Sequence, residues 1–278
     1  MIQIGRIQKL SIKRILDFGI VLNGGESGDV ILSKKSAPKN CRPGDVVEVF
    51  VYADKEGRLR ATTQKPYATV GRFAYLRVAA NSSSGAYLDW GLQKDLLVPK
   101  TEQQVKMEEG KSYVVFVFLE QDTNRIAASS KLDKFLNRRP PNYDEGEEVD
   151  LLIFGKTDLG YKAVVNNSHW GMIYENEVFQ NLHIGQQLKG YIKAIRADLK
   201  IDLSLQQSGH ERVSDVSRGI LTTLRDRGGK LAVTDKSPPE EIYALFGVSK
   251  KTFKRAIGAL YKRRLIAIDP KGIKLAKK

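Results

Sequence analysis

The chain has little of what metal, redox or membrane chemistry requires. Cys41 is its only cysteine, so no internal disulfide and no cysteine-based zinc or iron–sulfur site can be built. Three histidines, His169, His183 and His210, lie without HExxH or His-x-His spacing. The longest apolar run, Tyr113 to Leu119, falls far short of the roughly 20 residues that span a bilayer. Met1-Ile-Gln-Ile-Gly-Arg6 alternates like a strand and lacks the basic region and apolar core of a signal peptide. There is no GxxxxGK[ST] loop to cradle phosphates, and Asp17, Asp29 and Asp54 show no paired-carboxylate spacing. These absences lead us to expect a soluble, intracellular, non-enzymatic protein without cofactor or anchor.

Positive charge is what the chain has in excess. Lys and Arg number 46 against 32 Asp and Glu, a formal net charge of +14. Such a balance points to a polyanionic partner, nucleic acid ahead of an acidic membrane surface. Hydrophobic residues make up 41% of the chain, enough for packed cores, and 278 residues exceed one small domain.

Three segments share one order of landmarks. Gly44-Asp-Val-Val-Glu-Val-Phe-Val-Tyr52, Gly110-Lys-Ser-Tyr-Val-Val-Phe-Val-Phe118 and Gly185-Gln-Gln-Leu-Lys-Gly-Tyr-Ile-Lys193 each begin a strand after a glycine. Closing strands follow at Gly57-Arg-Leu-Arg-Ala-Thr62, Asn124-Arg-Ile-Ala-Ala-Ser-Ser-Lys131 and Leu199-Lys-Ile-Asp-Leu-Ser-Leu-Gln206. The turns Asp54–Gly57 and Gln121–Asn124 carry hairpin chemistry. Spacings of 66 and 75 residues between the landmark glycines are too long for a solenoid and suit a five-stranded barrel per repeat. Runs such as Val46, Val49, Val51 and Val115, Val117, Leu119 supply alternating inward faces. Asn137-Arg-Arg-Pro-Pro-Asn-Tyr-Asp144 reads as a semi-rigid linker.

After residue 209 the period changes from 2 to 3.6. Val213, Val216, Ile220 and Leu224 share a helical face that Gly228-Gly229 ends. A short strand, Leu231–Val233, precedes Ser237-Pro-Pro-Glu240, which has the form of a capping box opening a helix from Pro238 to Phe246. Ser249 is placed to cap a helix running to about Arg263, with Phe253, Ala256, Ile257 and Leu260 inward. Leu265–Leu275 reads as a hairpin about Pro-Lys-Gly. Lys251, Arg255, Gly258 and Lys262 line one side of the third helix, away from the apolar face, beside Lys250, Lys254 and Arg263; Lys271 and Lys274 lie in the hairpin. This row either follows a phosphate backbone or is a solvated basic face; the local charge favours phosphate.

The charge is unevenly placed. Residues 1–66 hold 12 basic and 7 acidic side chains, 67–141 hold 11 and 8, 142–209 hold 6 and 10, and 210–278 hold 17 and 7. The third segment is therefore acidic and the fourth strongly basic.

Asp17-Phe-Gly-Ile-Val-Leu22, Gly28-Asp-Val-Ile-Leu32 and Gly44-Asp45 resemble the S1 RNA-binding domain, an OB-fold module. Gly85-Ala-Tyr-Leu88 with Leu97-Val-Pro99, and Leu159–Val164 with Trp170–Tyr174, are similar in the second and third segments. The resemblance implies base-stacking aromatics. Phe18, flanked by Lys13, Arg14, Lys34 and Lys35, matches the leading one, although it also fits a core position. Tyr87, near Trp90 and Lys94, matches the second aromatic; Tyr161 and Tyr174 are the aromatics of the third segment, and Trp90 reads equally as buried. Val21, Ile31, Ser84, Pro99 and Leu159 depart from the pattern, so no single barrel carries a full platform.

The segment Glu241–Leu260 resembles a helix-turn-helix, and the whole chain resembles the conserved virulence factor B family. The expected fold is mainly β and multidomain: three tandem OB-fold (S1-like) five-stranded barrels at 1–66, 67–141 and 142–209, then a C-terminal α/β winged-helix domain at 210–278. The resemblance implies a cytoplasmic, regulatory RNA-binding protein; the residues alone point to nucleic-acid binding with single strands favoured, and with no self-complementary apolar patch in the sequence a monomer is expected. Two rivals stay open, a DNA-binding transcription regulator and a protein-interaction scaffold on ribosome or polymerase.

Overall fold

The computed structural model describes residues 1–121, 123–178, 180–206, 210–270 and 272–276, with side chains of 210–215 left aside. It contains two compact units, Met1–Leu136 and Asn137–Lys278.

The first unit holds two barrels. In the first, β1 (Ile7–Leu16), β2 (Gly19–Asn23), β3 (Asp29–Ser33), β4 (Val46–Ala53) and β5 (Leu59–Thr62) close in the order β1-β2-β3-β5-β4. The second repeats this with β6 (Phe73–Asn81), β7 (Gly85–Asp89), β8 (Leu96–Pro99), β9 (Ser112–Leu119) and β10 (Ile126–Ser129). In the second unit β11 (Glu148–Thr157), β12 (Gly160–Val165), β13 (His169–Tyr174), β14 (Gln187–Ile195) and β15 (Ile201–Ser204) repeat it again. In each barrel the third and fifth strands are parallel and the other pairs antiparallel, the arrangement of an OB-fold.

One device recurs in all three. The first strand breaks register at Ile12/Arg14, at Val78/Ala80 and at Ile153/Gly155. Such a bulge bends a long strand so that it can pair on both sides and close a barrel. The landmark glycines clasp these bends: Gly44, Gly110 and Gly185 have φ of 93°, 79° and 87°, and donate to the carbonyls of Ile12, Val78 and Ile153 at 2.8–2.9 Å. A left-handed turn in that position favours glycine, which is why the repeat is visible in the sequence.

The cores follow the alternation, with one change of phase. Val47, Val49 and Val51 point inward, while Val46 is exposed. Val115 and Val117 are buried, and Leu119 is half-buried at its strand end. The segment expected to be a linker is tied to the third barrel: Asn137 N donates to Ser168 O (3.0 Å), Trp170 N donates to Asn137 Oδ1 (3.2 Å), and His169 bridges Arg139 O and Tyr143 Oη at 2.8 Å each. A carbonyl only accepts, so His169 Nε2 donates to Arg139. Burial pushes the Tyr143 phenol up, and Glu147 adds to the shift.

Next come α1 (His210–Asp226), β16 (Lys230–Leu231), α2 (Pro239–Phe246), α3 (Lys250–Lys262), β17 (Ile266–Asp269) and β18 (Gly272–Leu275), with a sheet ordered β16-β18-β17. Helices α1 and α3 pack across Ile220, Leu224, Phe253, Ile257 and Leu260. This is a winged helix. The strand expected to reach Val233 stops at Leu231, though Val233 is buried. The expected capping box at Ser237 does not form. Pro238 occupies the cap position of α2 without a side-chain bond, and Ser237 Oγ accepts from Thr234 N instead (3.1 Å). Gly247, at φ 64°, ends α2 in a left-handed turn.

Candidate nucleic-acid interface

Helix α3 presents the clearest surface. Ser249 Oγ accepts from Thr252 N at 3.1 Å, satisfying a donor that the helix start leaves unpaired. Phe253, Ala256, Ile257 and Leu260 are buried, which fixes the opposite side toward solvent. Lys251, Arg255 and Lys262 lie exposed there, and none has a carboxylate partner among the described residues. The row spans about 16 Å at 1.5 Å per residue, and Gly258 leaves open space in it. The neighbouring cations differ. Lys254 approaches Asp235 (3.8 Å), Lys274 pairs with Asp269 (3.1 Å), Lys250 is half-buried, and Arg263 is exposed just beyond the helix. Lys271 lies outside the described residues, as does the side chain of Val213.

The turn between β1 and β2 holds Phe18 in solvent, 66% exposed. Lys34 N donates to Phe18 O (3.3 Å), which ties the Lys34–Lys35 segment to the turn that carries Phe18; both lysines are exposed. Lys13 and Arg14 are engaged elsewhere: both bind Asp29, at 2.8 and 3.3 Å. The Lys13 hydrogen bond, with desolvation opposing it, holds the Asp29 carboxyl below its usual range.

In the second barrel Tyr87 is half-buried on β7. Trp90 is 6% exposed, and its Nε1 donates to Lys94 O (2.7 Å), so the indole is largely buried and held in place.

The third barrel changes the expectation most. Tyr161 is 8% exposed and packs among Ile153, Ile173 and Leu203, so its ring is core and cannot receive a base. The strand alternation of β12 turns position 161 inward. Tyr174 is half-buried under Arg196, whose Nη2 donates to the phenol oxygen (2.6 Å) while the guanidinium lies 5.6 Å from the ring centre. Lys162 Nζ stands 5.0 Å from the Trp170 ring centre; only the β12–β13 register brings these two together. Four other cations are paired with acids: Lys189 with Asp150 (2.8 Å), Lys193 with Glu177 (2.7 Å), Arg196 with Asp202 (3.0 Å) and Lys200 with Asp198 (2.8 Å).

Among the described residues no group of three or more His, Cys, Asp or Glu is placed to hold a metal, and no helix is long and apolar enough to cross a membrane.

Comparison with known proteins agrees with this architecture. The S1 domain matches residues 4–64 and 70–130, the first two barrels. A CvfB-like winged helix domain matches residues 218–275. Conserved virulence factor B of Staphylococcus epidermidis is 26% identical over 99% of this chain and 95% of its own length. The uncharacterized protein YitL of Bacillus subtilis is 27% identical over 93% of this chain and 89% of its own. A crystal structure of a multidomain protein with nucleic acid binding domains from Streptococcus pneumoniae aligns over 98% of both chains at 24% identity, with a TM-score of 0.41. S1 and winged-helix domains in one chain support a nucleic-acid-binding role.

Proposed function

This chain belongs to the conserved virulence factor B family, and from that premise we propose that it is a regulatory protein of the cytoplasm that binds single-stranded RNA. It acts by binding rather than by catalysis, as a monomer. The observation that carries the reading is the row Lys251, Arg255 and Lys262, exposed on α3 with no carboxylate partner among the described residues. Cations without a protein partner are the ones whose phosphate contacts release counterions and set affinity.

The preference for single strands comes from Phe18 with Lys34 and Lys35. An exposed ring on a turn bonded to a segment with two exposed lysines suits an unstacked base and its phosphate, whereas duplex bases offer no free face. The S1 character of the first two barrels supports RNA over DNA. Lys and Arg on α3 position a backbone without reading a base, so little sequence discrimination is expected from that helix.

The test measures binding of the full chain to single-stranded RNA, single-stranded DNA and duplex DNA at several salt concentrations. The expected result is tightest binding to RNA, with log K falling by about 0.7 per neutralised phosphate for each unit of log salt. Tighter binding to duplex DNA moves the reading to a transcription regulator, and no binding to any of the three moves it to a protein scaffold.

A further inference from the structure

The first and second barrels pack through Phe50 against Trp90, ring centres 5.6 Å apart and edge to face. Beside this contact, between the two barrels, lies a cleft of about 350 Å³. That volume is at the small end of ligand pockets, which run to ~300–1,000 Å³, and it suits one nucleoside-sized group rather than a long chain.

Three rings line it: Tyr52 from β4, Tyr87 from β7 and Trp90 from the turn after β7. The hydrogen bond to Lys94 O fixes the indole. Tyr52 and Tyr87 are half-buried, and neither phenol has a hydrogen-bond partner among the described residues. Burial pushes the Tyr52 phenol up, against a smaller opposing effect of Arg60, so this hydroxyl stays a donor.

The rim is cationic. Lys55, Lys94 and Arg125 are exposed and have no carboxylate within ion-pair distance among the described residues. The acid in the wall, Asp54, is held by Arg58 and Arg60 at 3.0 Å each, which neutralises it toward a ligand. Asp95 at the rim has no partner among the described residues. Flat apolar faces inside, free hydroxyls beside them and surplus ammonium and guanidinium groups at the mouth match an aromatic base carrying a phosphate.

We propose that the cleft between the first and second barrels binds one nucleotide unit, with its base against Tyr52 and Tyr87 and its phosphate on Lys94 and Arg125. The site rests on the nucleic-acid reading above and goes further. It is composite, since neither barrel encloses it alone. It also continues the Phe18 surface, because Lys34 and Lys35 lie between the lining residues Ser33 and Ser36. The unit is supplied either by an RNA strand that passes Phe18 and enters the cleft or by a free nucleotide.

Trp90 reports on the site. The chain has two tryptophans, so Trp170→Phe in the full-length protein isolates the Trp90 emission. This protein is titrated with a single-stranded RNA of about ten nucleotides and, separately, with AMP; anisotropy of labelled RNA measures total binding. The expected result is saturable quenching of Trp90 by RNA. Lys94→Glu with Arg125→Glu, both exposed, should weaken it about tenfold or more, the size of one lost base stack and its phosphate contacts, with the circular dichroism unchanged. Quenching by AMP as well identifies a free nucleotide as an accepted source. Quenching by AMP without any RNA binding supports the cleft and overturns the RNA reading. RNA binding without a Trp90 response, or a response that the charge-reversed variant leaves intact, overturns the cleft and leaves the RNA reading standing. No response or binding with either probe overturns both.

Discussion

The third barrel and the winged helix belong to the same compact unit, and both present Lys and Arg to solvent. On the barrel, Lys189, Lys193, Arg196 and Lys200 each face a carboxylate within 3.0 Å. On α3, Lys251, Arg255 and Lys262 face none among the described residues. A phosphate approaching the barrel must displace an acid that already holds the cation, whereas on the helix it displaces only mobile counterions. Net charge by segment pointed the same way, but the pairing gives the cause: charge that is matched inside the protein is not offered to a partner.

The largest expected effect comes from the helix. Replacing Lys251, Arg255 and Lys262 together by Ala should reduce the salt slope of RNA binding by about 2, at ~0.7 per phosphate contact, with an unchanged melting temperature. The matched triple on the barrel, Lys189→Ala, Lys193→Ala and Arg196→Ala, should leave the slope as it is. Equal losses in the two triples would break the contrast.

Removing acids should sharpen it. Asp198→Asn and Asp202→Asn leave Lys200 and Arg196 without their partners, so RNA affinity at low salt should rise several-fold and the slope should steepen by up to about 0.7 per released cation. An unchanged affinity would mean that the barrel face is out of reach of the strand.

A smaller effect is expected at the helix start. Ser249→Ala removes the cap of α3 and should cost about 1 kcal/mol of winged-helix stability, read by thermal denaturation. RNA affinity should fall only where the helix frays. The smallest expected effect is with pH. The Lys200 hydrogen bond, with desolvation opposing it, holds the Asp198 carboxyl below its ordinary 3.8. A depressed folded-state value keeps the pair intact above the unfolded value and loses it only as pH falls through the folded one. RNA affinity of the barrel face should therefore stay flat from pH 7 to pH 5. A rise in that window would show that the pairing is weaker than the geometry indicates.

Much of the architecture was legible because it rests on positions with a strong local cause. The glycines at 44, 110 and 185 sit in left-handed turns that clasp a bulge, and Ser249 caps a helix whose buried face recurs at helical spacing. Side-chain direction was less legible. Whether Val46 or Val47 points inward depends on strand phase, and Tyr161 is buried because β12 pairs with β13 in a register that no local signal specifies. Trp90 and Phe50 meet across two barrels, a contact set by packing of whole domains. The segment at 137–144 reads as a linker from its prolines, but Asn137 and Arg139 are hydrogen-bonded to the third barrel.

Gln206 follows the last strand of the third barrel and is buried, and its Oε1 accepts from Ser249 N at 3.0 Å. Tyr243 Oη of α2 reaches back to Gln180 Oε1 at 2.9 Å. The residue that starts the cationic helix is thus anchored by a side chain from the acidic module. As a consequence the winged helix is not an interchangeable cassette: grafted onto another protein without the end of the third barrel, it would begin α3 with a backbone donor that has lost its acceptor. The barrel that offers the fewest unpaired cations serves as the mount that aims the helix offering the most.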